Sequence, residues 1–338
     1  MSDGGLIQAT GWPRRWFRLA VHVLVLLAVA WGVRRTIASA LDQLDDFPWH
    51  VQPQWLVAAG GLYLLGMLPM GLFWYSSLQA MGQRPALLPT MRAYYIGHLG
   101  KYVPGKAMVV VLRAGLLRGR QVQMSVAAAS VFLETLTMMA VGAFLAVGIL
   151  CVWLYRYLPG DDYLLPLAIG LWLMSGLPTL PPVFRRLALR LGVARGDPQI
   201  EQKLQGVNYP LMATGWIAMA AGWLLLALSL WAVMRALGIE GLHPVADLPY
   251  YTAAVTLSVV AGFLSLIPGG VLVREMILTT ILGEIYFGHV VQIPLAGATA
   301  LSVAVVLRLV GLTAELLLAL LLYFVIRHAP RATPTEAD

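Results

Sequence analysis

The chain has 338 residues, of which 59% are hydrophobic and only 12% are charged, and its mean hydropathy is +0.77. Soluble domains carry about 25% charged residues, so this composition excludes an ordinary soluble fold. The formal net charge of +7 indicates no nucleic-acid partner, because the positive-inside preference of membrane proteins accounts for it. Cys151 is the single cysteine, which excludes an intrachain disulfide or a thiolate metal cluster.

Apolar segments recur along the chain, and they are long enough to cross a hydrocarbon core of about 30 Å. We predict six full spans, at about residues 17–33, 55–78, 124–155, 163–183, 210–236 and 293–326. Because cytoplasmic loops are rich in Lys and Arg, the basic loop 185–203 predicts that both termini lie on the cytoplasmic side of the inner membrane. Arg34 and Arg35 are the exception, since they follow the first span on the opposite side.

The N-terminal segment has two interpretations. Arg14 and Arg15 precede an apolar core, and residues 38–40 (Ala-Ser-Ala) resemble a signal-peptidase site, which is typical of a cleaved signal. Arg34 and Arg35 lie between that core and that site, and they favour a retained first span. At the other end of the chain, residues 329–338 predict a short disordered tail.

Two regions between the spans are interrupted by Pro-Gly and resemble each other. The shared order is Leu-Pro, Tyr-Tyr and then Pro-Gly, at Leu88-Pro89, Tyr94-Tyr95 and Pro104-Gly105 and again at Leu248-Pro249, Tyr250-Tyr251 and Pro268-Gly269. Interrupted apolar segments in matching positions of two halves are typical of inverted repeats. We therefore predict an all-α polytopic domain over residues 1–330, with inverted repeats at about 50–160 and 205–326 and a re-entrant helical hairpin in each. A pair of full crossings in place of either hairpin is an equal alternative.

The residues around the breaks predict a site for an anion, and we expect that anion to be a phosphate. Proline and glycine stop a helix at membrane depth, and a helix that restarts there points its N–H groups into the gap. Basic side chains add full positive charge. We expect the headgroup ligands to be Lys101, Tyr102, Lys106, Arg113, Gly269, Gly270 and Arg274, with the breaks at Pro104, Gly105 and Pro268.

Further ionisable residues lie in apolar surroundings, where they are functional candidates. We assign gating or coupling to Glu134, Glu275, Arg308 and Glu315. Arg308 and Glu315 are seven residues apart, so they project from one helix face two turns apart. We expect Glu134 to face Arg308 in one cavity. The equal alternative to a gating role for Glu134 is a structural salt bridge to an arginine of another helix. His98, beside Lys101, is interpreted as a packed interfacial side chain.

These residues also support a family resemblance that covers about residues 15–326. The motif at 100–106 (Gly-Lys-Tyr-Val-Pro-Gly-Lys), with Arg113, Glu134, the motif at 267–270 (Ile-Pro-Gly-Gly) and Arg274-Glu275, resembles the lysylphosphatidylglycerol synthase transmembrane-region family. In the two-part synthases of that family a cytosolic domain makes an aminoacyl lipid, and the membrane domain is implicated in flipping it. About a dozen residues follow the last span here, so we expect the flippase-like half alone. Residues 271–273 (Val-Leu-Val) replace a more glycine-rich stretch.

The expected function is therefore flipping of an anionic phospholipid or a lipid-linked envelope intermediate across the cytoplasmic membrane, without catalysis. The sequence contains no metal-ligand spacing, phosphate-binding loop or nucleophile motif, so we expect no metal or cofactor. The expected partners are the lipid and an envelope-lipid biosynthetic enzyme. The alternative function is a non-transporting membrane partner of an envelope glycosyltransferase or lipid-modifying enzyme.

Overall fold

The computed structural model describes residues 51–103, 107–117, 122–157, 164–192, 197–265, 267–291 and 296–327, and every regular element in these ranges is helical. The elements are α1 (Pro53–Ala80), α2 (Leu87–His98), a 3-10 turn (Leu99–Tyr102), α3 (Ala107–Leu117), α4 (Met124–Tyr157), α5 (Leu164–Gly176), a 3-10 turn (Leu177–Thr179), α6 (Pro181–Arg190), α7 (Ile200–Leu204), α8 (Tyr209–Ala236), α9 (Leu248–Leu264), a 3-10 turn (Pro268–Gly270), α10 (Val273–Thr280), a π-helix (Ile281–Val291) and α11 (Ala296–Arg327). The predicted span at 17–33, the tail and the residues Pro104, Gly105 and Lys106 lie outside the described residues.

Four of the described helices are long and apolar enough to cross a membrane. These are α1, α4, α8 and α11, and they agree within a few residues with the spans predicted at 55–78, 124–155, 210–236 and 293–326. The predicted all-helical, polytopic class is thus confirmed.

The apolar segment predicted as a span at 163–183 is shorter in the structure. Helix α5 has 13 residues, a 3-10 turn over Leu177–Thr179 follows it, and α6 starts anew at Pro181. Prolines at 178, 181 and 182 explain this end, because proline lacks the N–H group that continues a helix and clashes with the preceding turn. The total of six crossings stays a prediction.

The core of the fold is a close crossing of α1 and α8. A Cβ atom built on Gly66 would lie 3.0 Å from the carbonyl oxygen of Gly222, and one built on Gly222 would lie 2.7 Å from the carbonyl oxygen of Gly66. Each glycine lies thirteen residues after the first residue of its helix. Small residues let membrane helices approach until their backbones touch, so this glycine pair sets the distance between the two helices.

Helix α4 packs beside this pair through indole rings. Trp223 of α8 donates a hydrogen bond from Nε1 to the carbonyl of Met138 (3.1 Å), and Trp74 of α1 donates from Nε1 to Oγ of Ser130 (2.9 Å). Gly142 makes room for the Trp223 ring, because a Cβ atom there would lie 2.9 Å from Cζ2. Buried indole N–H groups require such partners. The three long helices α1, α4 and α8 therefore form one fixed unit.

The loop that leads into α7 is tied to the start of α4. Asp197 accepts hydrogen bonds from Nζ of Lys203 (2.8 Å) and Oγ of Ser125 (2.7 Å). The hydrogen bond from Lys203, followed by the one from Ser125, holds the pKa of Asp197 below its usual value. Part of the basic loop predicted at 185–203 is thus anchored to the first turn of α4.

The glycine crossing gives a testable consequence for stability. We expect Gly222→Ala to destabilise the protein by about 1–3 kcal/mol, because the added methyl group overpacks a backbone contact. Gly61→Ala in α1 is the matched control, since a Cβ atom there has nothing within 4 Å. The measurement is thermal unfolding of purified protein in detergent. Equal unfolding temperatures for the two variants would contradict the close crossing.

Candidate functional site

The first broken segment, defined as residues 87–117, folds back on itself. Its arms are α2 with the following 3-10 turn, and α3. Two glycines on the first arm hold the second arm close: a Cβ atom at Gly97 would lie 2.4 Å from Cγ of Arg113, and one at Gly100 would lie 2.8 Å from the backbone nitrogen of Val109. Each arm is shorter than the roughly 20 residues of a spanning helix. The two arms therefore lie in direct contact along their length.

The second broken segment, defined as residues 248–291, uses the same kind of contact. A Cβ atom at Gly262 on α9 would lie 2.4 Å from Cγ of Arg274 on α10, and one at Gly270 would lie 2.9 Å from Cδ of Arg274. Gly269 and Gly270 both have φ of +64°, a conformation that glycine adopts without steric cost. The double glycine thus provides both the turn and the space for the stem of Arg274.

Leu272 occupies a position in the second turn that suits glycine better. Its φ is +70°, a left-handed value that costs a residue with a Cβ roughly 1–2 kcal/mol. The sequence departs from the glycine-rich family pattern at residues 271–273, so the departure coincides with backbone strain. The N-terminus of α10 follows at once, and its first turn carries Glu275.

Arg113 and Glu134 form a buried ion pair behind the first broken segment. Nη1 of Arg113 lies 2.7 Å from Oε2 of Glu134, and each side chain is only 2% exposed. The guanidinium carbon lies 4.2 Å from the centre of the Tyr94 ring and 5.3 Å from that of Trp74, and the hydroxyl of Tyr94 donates to Glu134 (3.3 Å). Each charge is thus compensated by the other and by aromatic contacts.

Glu315 on α11 is the centre of a second cluster. Its carboxylate accepts hydrogen bonds from Nζ of Lys101 and from the hydroxyl groups of Tyr63 and Tyr102, the last at 3.1 Å. Nε2 of His98 lies 3.6 Å from the same carboxylate. The side chain of Glu315 is 1% exposed, whereas that of Lys101 is 22% exposed. Donors from α1 and from the first broken segment therefore converge on one anionic group.

Arg308, two turns before Glu315, holds the second broken segment. Its Nη1 pairs with Glu275, and its Nη2 donates to the carbonyl of Gly269 (3.2 Å). Helix α11 thus contacts each broken segment through one charged residue, acidic for the first and basic for the second. The predicted common face of Arg308 and Glu315 agrees with this geometry.

The two breaks meet beside these contacts. A Cβ atom at Gly269 would lie 3.4 Å from Cδ1 of Tyr102 and 3.1 Å from Nη2 of Arg308. Arg274 is half-buried at the same place, and its charge acts electrostatically on Tyr63, Lys101 and Tyr102. Within the described part of the chain, Arg274 makes no hydrogen bond or ion pair. Among the described residues, the junction therefore holds one cation, Arg274, without a bonded counter-ion.

The structure separates the site residues named from the sequence into two places. Lys101, Tyr102, Gly269, Gly270, Arg274, Glu275, Arg308 and Glu315 lie at the junction of the breaks, whereas Arg113 and Glu134 form the separate buried pair. The expected contact of Glu134 with Arg308 is wrong, because each has another ion-pair partner. The alternative, a salt bridge from Glu134 to another arginine, is correct.

The sequence did not indicate that Tyr63 and His98 contact Glu315. Tyr63, in the middle of an apolar span, was not named, although its hydroxyl bonds to Glu315. A tyrosine far from both ends of a spanning helix is a usable signal, because its hydroxyl group must find a partner there. His98 was interpreted as a packed side chain, and it does pack against Tyr94 (6.2 Å between ring centres), but it also faces Glu315.

The chain also matches a known protein family over most of its length. The family model described as the lysylphosphatidylglycerol synthase TM region matches residues 15–319. The chain belongs to this family. Membership of the synthase TM-region family and the apolar helices make it a multi-pass membrane protein related to lipids. No curated protein matches the chain.

The buried pair supports a double-mutant test. We expect Arg113→Gln and Glu134→Gln each to cost about 3–5 kcal/mol of stability, because each leaves the other charge buried without a partner. The double variant should cost less than the sum, and the difference measures the coupling. The measurement is unfolding of each purified variant in detergent.

Glu134→Gln combined with Arg308→Gln is the matched control, since these two residues do not touch. Their effects should add. Additive effects for Arg113 and Glu134 would contradict the ion pair.

Proposed function

We propose that the protein translocates an anionic phospholipid or lipid-linked envelope intermediate between the leaflets of the cytoplasmic membrane. The observation that carries the proposal is the convergence of Lys101, Tyr63 and Tyr102 on one carboxylate, beside Arg274, which has no ion-pair partner among the described residues. An ammonium and two hydroxyl groups would bind a phosphate as readily as a carboxylate, because both present several acceptor oxygens. Family membership supports a lipid as the carrier of that phosphate.

The charge balance at the junction favours an anion. The described residues there include three cations, Lys101, Arg274 and Arg308, and two carboxylates, Glu275 and Glu315. One positive charge is therefore left uncompensated in surroundings where isolated charges are costly. A bound phosphate group would supply the missing counter-charge.

The backbone at the junction supports the same ligand. Helix α10 begins beside the double glycine, and the N-terminus of a helix favours negative charge. Irregular backbone at membrane depth is tolerated where it lines a cavity or is buried in protein. We therefore assign headgroup binding to Lys101, Tyr102 and Arg274, with Gly269 and Gly270 shaping the turn.

The remaining charges receive other roles in this proposal. Arg113 and Glu134 stabilise the first broken segment, since each is already neutralised and neither is accessible. Arg308 and Glu275 hold the second broken segment on α11. Lys106, which lies outside the described residues, keeps its predicted role as a headgroup ligand.

We propose further that the chain consists of two inverted halves, each with a re-entrant hairpin. Each half would contain a 28-residue helix (α1 or α8), a broken segment and a long final helix (α4 or α11). The glycine-to-arginine packing recurs in the two broken segments, at Gly97 with Arg113 and at Gly262 with Arg274. The crossing at Gly66 and Gly222 joins equivalent positions of the first helices. These equivalences support a two-fold relation.

The flipping proposal is tested with purified protein in liposomes. We expect Lys101→Gln and Arg274→Gln each to reduce the flipping of fluorescent phosphatidylglycerol by about tenfold, which corresponds to the 1.4 kcal/mol scale of a charge-assisted hydrogen bond. Arg186→Gln on α6, an exposed arginine away from the junction, is the matched control for the loss of one positive charge.

The readout is the fraction of labelled lipid that is protected from a reductant added outside. If the labelled lipid stays on its original leaflet in liposomes that contain the wild-type protein, the transport proposal is contradicted. That result would favour the alternative function, a non-transporting membrane partner.

The proposed orientation is tested by cysteine labelling. After replacement of Cys151 by Ser, single cysteines at Glu201 and Val245 lie on opposite ends of α8 and are exposed. We expect the cysteine at 201 to react with an impermeant reagent only from the cytoplasm, and the cysteine at 245 only from outside. If both positions are labelled from the same side, α8 does not cross the membrane. That result would contradict the inverted repeat.

A further inference from the structure

We propose that Glu315 is a tethered competitor for the headgroup: it occupies the anion site when no lipid is bound, and the lipid phosphate displaces it from Lys101. This inference rests on the proposed function and adds its regulation. Lys101, Tyr63 and Tyr102 form the site, and Glu315 currently accepts from all three. A carboxylate and a phosphate cannot both take the same donors, so the two anions exclude each other.

The position of Glu315 makes it a suitable competitor. It comes from α11, whereas Lys101 and Tyr102 come from the first broken segment and Tyr63 comes from α1. The carboxylate is therefore a link between elements rather than part of the element that binds. A headgroup that replaces it takes the donors of the first broken segment and removes their link to α11.

The displaced link has a defined location. Nε of Arg92, in the middle of α2, also donates to the carbonyl of Leu322 on α11 (3.1 Å), and a headgroup at Lys101 does not touch that bond. The middle of α2 thus stays attached to α11 while residues 99–103 are released. Movement is confined to the tip of the first broken segment, next to Gly269 and Arg308.

The partial exposure of Lys101 supports the exchange. Its side chain is 22% exposed while Glu315 is 1% exposed, so the lysine is the more accessible member of the pair. The buried pair of Arg113 and Glu134 offers no such access, since both side chains are 2% exposed. Two acidic residues in apolar helices therefore have different roles, one displaceable and one fixed.

Competition has a quantitative consequence for binding. A site that its own residue occupies nine-tenths of the time binds an external ligand about tenfold more weakly than the empty site. Removal of the competing charge should therefore raise the affinity for an anion. The same removal should slow transport, because the returning carboxylate helps to release the headgroup. Tighter binding with slower flipping is a combination that simple loss of structure does not produce.

The test uses the full chain in detergent and titrates it with dioctanoyl phosphatidylglycerol and, separately, with dioctanoyl phosphatidylcholine. We expect Glu315→Gln to bind the anionic lipid about tenfold more tightly than wild type, and to flip fluorescent phosphatidylglycerol more slowly in liposomes. Glu315→Asp keeps the charge but withdraws it by one methylene group, so its affinity should fall between the two. If Glu315→Gln does not fold, Glu315→Asp still tests the competition.

Glu134→Gln is the matched control, because it neutralises a carboxylate that is equally buried but paired elsewhere. It should not tighten binding. If wild type and every variant show no preference for phosphatidylglycerol over phosphatidylcholine, the proposed function fails. A second outcome separates the two proposals. If wild type binds the anionic lipid and Lys101→Gln weakens that binding, the proposed function stands. If neither Glu315 variant then binds more tightly than wild type, Glu315 does not compete with the headgroup.

Discussion

Two buried charges on α11 require partners, and their pairing positions both broken segments. Glu315 and Arg308 lie two turns apart in a helix with no other charged residue before its last residue, and an unpaired charge is costly at low dielectric. Each obtains its partners from a different broken segment: Glu315 from Lys101 and Tyr102, and Arg308 from Glu275 and Gly269. Because the partners lie beside the helix breaks, the two charges bring both breaks to one place.

Glycine packing explains why the basic residues of the breaks have fixed positions. The stems of Arg113 and Arg274 each lie against a glycine of the opposite arm, and a single methyl group at Gly97 or Gly262 would collide with them. The guanidinium groups of the two arginines have different surroundings. Arg113 meets Glu134 and two aromatic rings, whereas Arg274 has no bonded partner within the described residues. One scaffold therefore holds a structural arginine and an available one.

The sequence predicted the four long helices among the described residues and most residues of the junction, since both depend on local signals. Apolar length predicts a spanning helix, and charge beside a Pro-Gly break marks a site. The partners of Glu134 could not be predicted, because depth in a span does not define the direction in which a side chain points. Tyr63 was missed for the same reason: its role depends on packing between α1 and α11, which no local pattern contains.

An anion site that contains its own carboxylate resolves a conflict specific to membranes. A site of unpaired cations would be costly to fold at low dielectric, and it would also hold an anionic headgroup too tightly to release it. In the proposed mechanism, Glu315 neutralises Lys101 while the site is empty, which would lower the cost of folding. It would also stay tethered nearby after displacement, so its return would be intramolecular and would favour release. In this proposal one residue serves both the stability of the empty protein and the turnover of the occupied one. Arg274, which has no bonded counter-ion among the described residues, would attract the next headgroup.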